Sequence, residues 1–178
     1  MKNNYWIVDE LLIFKPEFNE KLDEYYDVIN RYKKIMFSNY NDSLVAIETN
    51  NKYNTKYCGN FIKSKFNQKM NLSNNINLTH LTFGYCFNQE MNLSNNINLT
   101  HLTFESDFNK KIDLSNNINL EYLTFESDFN QKLNLSNNIN LTHLTFGSDF
   151  NQKLNLSNNI NLTHLTFGWE FNQEIDLS

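Results

Sequence analysis

Along most of the chain, apolar residues return at fixed positions among asparagines. Phe66, Phe87, Phe108, Phe129, Phe150 and Phe171 each open an FN pair and lie 21 residues apart. The string NLSNNINLTHLTF begins at Asn71, Asn92, Asn134 and Asn155, and a variant, DLSNNINLEYLTF, begins at Asp113. A period of this length predicts a solenoid, because one repeat cannot bury its apolar face without neighbours. Within each period the alternation apolar-x-apolar occurs twice and is followed each time by a turn signal. Leu144-Thr-Phe146-Gly-Ser-Asp149 and Leu133-Asn-Leu135-Ser-Asn-Asn138 are the two halves. The expected fold is mainly β, with flattened 21-residue coils joined by a parallel sheet of LTF strands. A second, shorter strand per coil is expected at MNL, IDL or LNL, and little helix.

Alternation assigns the faces. In the coil around β-forming Leu144, the residues Leu141, Leu144 and Phe146 point inward, and Phe150, Leu154, Leu156 and Ile160 complete the core. His143 and Thr145 point out. Successive coils set like side chains about 4.8 Å apart, so Phe and Leu stack into ladders. Asn88, Asn109, Asn130 and Asn151 are expected to bond neighbouring coils through their amides.

Repeated copies of LTHLTFGSDFNQKL resemble the FNIP repeat, a relative of the leucine-rich repeat found in slime moulds and in giant DNA viruses of amoebae. The resemblance covers residues 66–178. It implies leucine-rich-repeat-like coils and a non-enzymatic role in binding other proteins. The family's prolines after FNQ are replaced here by Lys or Glu, which favours the second strand.

Residues 1–65 read as degenerate repeats and a cap within one continuous solenoid, ahead of the regular repeats at 66–178. Leu12 to Leu22 aligns with Leu144 to Leu154 without a gap. Tyr32-Lys-Lys-Ile35-Met-Phe37 repeats LxxLxF after a two-residue insertion, with a short helix expected inside 23–33. YCGNFI at 57–62 is expected as a third degenerate strand, giving about eight LTF-type strands in all. Some FNIP relatives carry an N-terminal F-box. The DELLIF stretch resembles one superficially but keeps the repeat phase.

Charge narrows the partners. With 20 acidic against 15 basic residues, the chain repels a phosphate backbone, so no nucleic acid is expected. No apolar run approaches the ~20 residues that span a bilayer, so no membrane is expected either. MKNNYWIVDELLIF makes a poor signal peptide. The expected location is the cytoplasm (host cytoplasm or virion for a viral protein), with Cys58 and Cys86 as free thiols. Formal N-x-S/T acceptors such as Asn71 and Asn77 are discounted on the same ground.

Two columns of outward residues are the candidate sites. His80, His101, Tyr122, His143 and His164, beside Thr82, Thr103, Thr124, Thr145 and Thr166, form the candidate protein-binding face. Histidines one rung apart suggest a metal, but no acid or thiol shares their height, so none is expected. Their mutual repulsion is expected to lower their pKa values. Asp107, Asp128, Asp149 and Glu170, with Glu105 and Glu126 beside them, form an acidic edge. These acids are expected to cap backbone N–H groups of the turn, with Lys111, Lys132 and Lys153 offsetting their charge. No nucleophile–base grouping or Gly-rich phosphate loop occurs, so neither catalysis nor a cofactor is expected. An interaction scaffold is the leading functional reading. A structural or self-assembling protein and a substrate-recognition arm of a ubiquitin ligase follow. The sequence stops inside a further copy of the repeat, and the last LTF strand is expected to pair with a second copy of the chain or a partner.

Overall fold

The computed structural model describes residues 4–41 and 61–176. β1 (Tyr5–Val8) and β2 (Leu11–Phe14) form an antiparallel hairpin, with Asp9 at φ 53° in its turn. From β2 onward the strands are parallel: β3 (Lys34–Phe37), β4 (His80–Phe83), β5 (His101–Phe104), β6 (Tyr122–Phe125), β7 (His143–Phe146) and β9 (His164–Thr166). β8 (Leu154–Asn155) and β10 (Ile175–Asp176) make a separate two-stranded pair on the second side of the coil. Register is kept without slippage; His80, Leu81, Thr82 and Phe83 face His101, Leu102, Thr103 and Phe104. The sheet thus holds seven parallel LTF-type strands plus one antiparallel strand, rather than about eight of one kind. Among the described residues the expected second strand forms only where β8 meets β10. Elsewhere that side is held by side chains.

Two phenylalanines per coil build the core. The strand Phe and the turn Phe stack within a coil, as at Phe83–Phe87 and Phe125–Phe129, both 3.8 Å between ring centroids. Each also stacks on its counterparts, with Phe83–Phe104 at 5.2 Å and Phe87–Phe108 at 6.1 Å. Leucine columns flank them. Leu81, Leu102, Leu123 and Leu144 are buried, as are Leu78, Leu99, Leu120 and Leu141. Such in-register burial provides the main driving force, at about 25 cal/mol per Å² of apolar surface.

The SNNIN turn inverts the hydropathy expectation. Ile160, expected in the core, is 84% exposed, and Ile76, Ile97, Ile118 and Ile139 are about half exposed. The second asparagine of the motif goes in instead: Asn75, Asn96, Asn117, Asn138 and Asn159 are all buried. Hydrogen bonding explains the inversion. Asn117 Nδ2 donates to Leu93 O (3.1 Å) and Asn96 O (2.9 Å) on the preceding coil, and Asn96 and Asn138 do the same one rung away. The tight turn pairs these carbonyls once with its own N–H groups, Asn96 N to Leu93 O (2.9 Å) and Leu99 N to Asn96 O (3.1 Å). The asparagine amide of the next coil fills their second lone pair, each such bond adding about 0.5–1.5 kcal/mol. Isoleucine has no donor to offer them. Asparagine also ties the FN corners: Asn109 N donates to Asn88 Oδ1 (3.1 Å), Asn130 N to Asn109 Oδ1 (3.0 Å) and Asn151 N to Asn130 Oδ1 (3.0 Å).

The N-terminal coils keep these columns with altered spacing. The two-residue insertion lies in the first coil and is taken up by a 3-10 turn (Leu22–Glu24) and α1 (Tyr26–Ile29). Ile29 ends the buried asparagine column; its carbonyl accepts from Asn75 Nδ2 at 2.8 Å. β3 pairs directly with β4, so no rung exists between them for a strand at 57–62. Residues 57–60 of that stretch lie outside the described residues, and Phe61 makes an isolated antiparallel bridge with Tyr40. Phe37 stacks on Phe66 at 3.9 Å, 29 residues on rather than four, so this coil carries a 25-residue insertion. Its neck is pinned: Ile62 N donates to Asn39 O (2.8 Å), and Asn39 Oδ1 accepts from Ser64 N (2.7 Å) and Tyr85 N (3.0 Å). Gly84 makes room for it, since a Cβ there would lie 2.4 Å from Ser64 Cβ. In residues 4–41 a hairpin and one helical turn take the place of the helical bundle an F-box requires.

Candidate interaction face

The sheet's outer face is set by strand alternation alone. Its rings form one continuous stack: His80–His101 at 4.1 Å, His101–Tyr122 at 4.3 Å, Tyr122–His143 at 4.4 Å and His143–His164 at 4.1 Å between centroids. Thr82, Thr103, Thr124 and Thr145 run beside it, half buried, and Thr166 is exposed. At the other end of the face Ile13 and Met36 are buried under Trp6, Val8, Leu11 and Tyr40. The open surface therefore begins at β4.

A threonine precedes each histidine and fixes its tautomer. Thr100 Oγ1 donates to Thr79 O (3.1 Å) and lies 2.9 Å from His101 Nδ1. The same pair of contacts recurs at Thr79–His80, Thr142–His143 and Thr163–His164. With its proton committed to the carbonyl, the hydroxyl accepts from Nδ1–H, which leaves the Nε2 lone pair as the ring's acceptor. The variant coil changes both residues together, to Glu121 and Tyr122. Glutamate has no hydroxyl to orient an imidazole, and a phenol ring needs none.

Burial favours the neutral form of His80, His101 and His143. His80 is brought down to about 4, first by desolvation and then by His101 and Lys34. Desolvation likewise lowers His101 and His143. For these three the direction is the one expected, but mutual repulsion is the lesser cause. Parallel rings aim their Nε2 atoms the same way instead of converging, which suits a surface more than a coordination sphere. Among the described residues no group of three or more His, Cys, Asp or Glu gathers to hold a metal.

The acidic edge is uneven: Glu126, Asp128, Asp149 and Glu170 are exposed, and Glu105 and Asp107 are not. Glu105 is largely buried, accepts from Asn39 Nδ2 at the insertion neck, and desolvation raises its carboxyl to about 7. Glu126, more exposed, is raised by the same desolvation. Asp128 is raised by burial, then by Asp107 and Asp149. The expected capping by these side chains is done by the main chain. Asp107 N donates to Tyr85 O (3.0 Å), Asp128 N to Ser106 O (2.9 Å), Asp149 N to Ser127 O (2.9 Å) and Glu170 N to Ser148 O (3.0 Å). The side-chain cap belongs to Asp113, whose Oδ1 accepts from Ser115 N at 2.9 Å. Lys111, Lys132 and Lys153 form no ion pair with the column; the pair found among the described residues is Lys65–Glu17. Cys86 is a half-buried free thiol, and Cys58 lies outside the described residues.

A solved structure similar to this chain is that of CroV588, a giant-virus protein described as a novel circular leucine-rich-repeat structure. It is 33% identical over 88% of this chain, with a TM-score of 0.53. This chain has a leucine-rich-repeat-like fold. It spans 26% of that protein's length. No protein-family model matches the chain, and no curated protein matches it. No helix among the described residues is long and apolar enough to cross a membrane.

Proposed function

We propose that this chain is a non-enzymatic interaction scaffold of the cytoplasm that binds a protein through the open sheet face from β4 to β9, and that its coils are FNIP repeats. The stack of rings with fixed tautomers, flanked by threonines, is the observation that supports this reading. Its rings repeat at one spacing, 4.1 to 4.4 Å between centroids. Preorganised, partly apolar surfaces of this kind lose little entropy on docking. The likeness to a leucine-rich-repeat protein supports a binding role by analogy of fold alone.

Three face residues changed together, Thr103→Arg, Thr124→Arg and Thr145→Arg, test the proposal against Asn116→Arg on the turn side. Both variants and the unchanged chain are used to capture proteins from extracts of the source cells. A protein held by the unchanged chain and by Asn116→Arg, but released by the triple variant, is the expected result. Equal capture by all three would place recognition elsewhere.

A further inference from the structure

The exposed isoleucines of the SNNIN turns form a stripe that the sheet face does not use. Ile76, Ile97, Ile118, Ile139 and Ile160 occupy one position in five successive coils, 49% to 84% exposed. At the ~4.8 Å spacing of neighbouring strands the stripe is about 20 Å long. The residues around it, Ser-Asn-Asn before and Asn-Leu after, are uncharged in all five copies, although the chain is 20% charged overall. The charges nearest to the stripe along the chain are Asp113 and Glu121, on either side of Ile118. We infer that this stripe is a homodimer interface, with the stripe of a second copy of the chain as its occupant.

Three features favour a second copy. The first is the period. Side chains that recur at strand spacing over five coils interdigitate without mismatch only with a surface of equal spacing, and an identical stripe has it by construction. The second is desolvation. The carbonyls beside the isoleucines are already bonded: Asn98 Nδ2 donates to Ile76 O (3.0 Å), and Asn119, Asn140 and Asn161 donate to Ile97, Ile118 and Ile139 O, each at 2.9 Å. Covering the stripe therefore orphans no isoleucine carbonyl at its first four rungs. The third is size. With its asparagine flanks the strip offers on the order of 500 Å² per copy, so a two-fold pair reaches the ~1,000 Å² that a specific interface needs. Two-fold packing makes the contact isologous and sets Ile118, the middle rung, near its own counterpart.

Sedimentation equilibrium of the full chain from micromolar to sub-millimolar concentration tests this. The unchanged chain should show a reversible monomer–dimer equilibrium, and Ile97→Asn with Ile118→Asn and Ile139→Asn should weaken it at least 100-fold. In a Cys58→Ser, Cys86→Ser background, Ile118→Cys should cross-link to a dimer on mild oxidation while Thr124→Cys does not. The cysteine pair decides the matter even where the triple variant fails to fold. A chain monomeric at every concentration, an undiminished dimer in the triple variant, or no cross-link at position 118 would each overturn the inference. The second of these would point to association through the β9 edge.

Discussion

Two coils of this molecule bury the same pair of phenylalanines across very different lengths of chain. After β4, Phe83 meets Phe87 four residues on; after β3, Phe37 meets Phe66, 29 residues on. The rings stack at 3.8 and 3.9 Å all the same. Phase therefore belongs to the columns that link one coil to the next, and not to the spacing within a coil. Long surface insertions add little closure cost, about 0.6 kcal/mol per doubling of length, provided their ends are joined. Asn39 joins them here. The junction is local: Asn39, Gly84 and Glu105 all lie against the neck.

The largest test of this comparison removes one ring from each kind of coil. Phe125→Ala in the regular array should cost ~3–5 kcal/mol in chemical denaturation, and Phe37→Ala should cost as much despite its irregular coil. A much smaller loss for Phe37→Ala would separate the first coils from the common core.

A smaller effect distinguishes the neck by pH. Glu105 is raised to about 7 from an ordinary 4.5, so the folded state binds the extra proton between those values. Its contribution to stability is full below pH 4.5 and is lost as pH rises through 7. His80 runs the other way. Lowered to about 4 from 6.5, it contributes above pH 6.5 and loses that contribution as pH falls toward 4. Glu105→Gln keeps an acceptor for Asn39 but cannot ionise. Its stability relative to the unchanged chain should therefore rise between pH 5 and pH 8. A gap that stays flat with pH would mean that the Glu105 carboxyl titrates normally. The smallest effect is expected on the open face, where Thr124→Ala should cost well under ~1 kcal/mol.

The LTF strands of the regular repeats, their register and the outward columns were legible because period-2 alternation and a 21-residue repeat state them directly. Three features were not. The buried asparagine column was hidden by hydropathy, which ranks Ile160 above Asn159 for the core; turn carbonyls that take a second donor from the next coil reverse that order. The second asparagine of SNNIN is kept even in the variant coil at Asp113, and this was the available signal. The hairpin strand β1 was missed because its YWIV run follows no repeat, and it works by covering the edge of β2. The Glu105–Asn39 contact joins residues 66 apart across the insertion, which no local pattern encodes.

The central claim is that in each turn asparagine holds the coils together from inside while its isoleucine neighbour stands outside. Asn117→Leu and Ile118→Asn, compared by equilibrium denaturation at one concentration, test it most directly. Removing the Asn117 donor takes one of two hydrogen bonds from Leu93 O, which keeps Asn96 N, and from Asn96 O, which keeps Leu99 N. The loss should cost ~1–3 kcal/mol. Ile118→Asn should stay within about 0.5 kcal/mol of the unchanged chain. A stable Asn117→Leu beside a strongly destabilised Ile118→Asn would contradict the account.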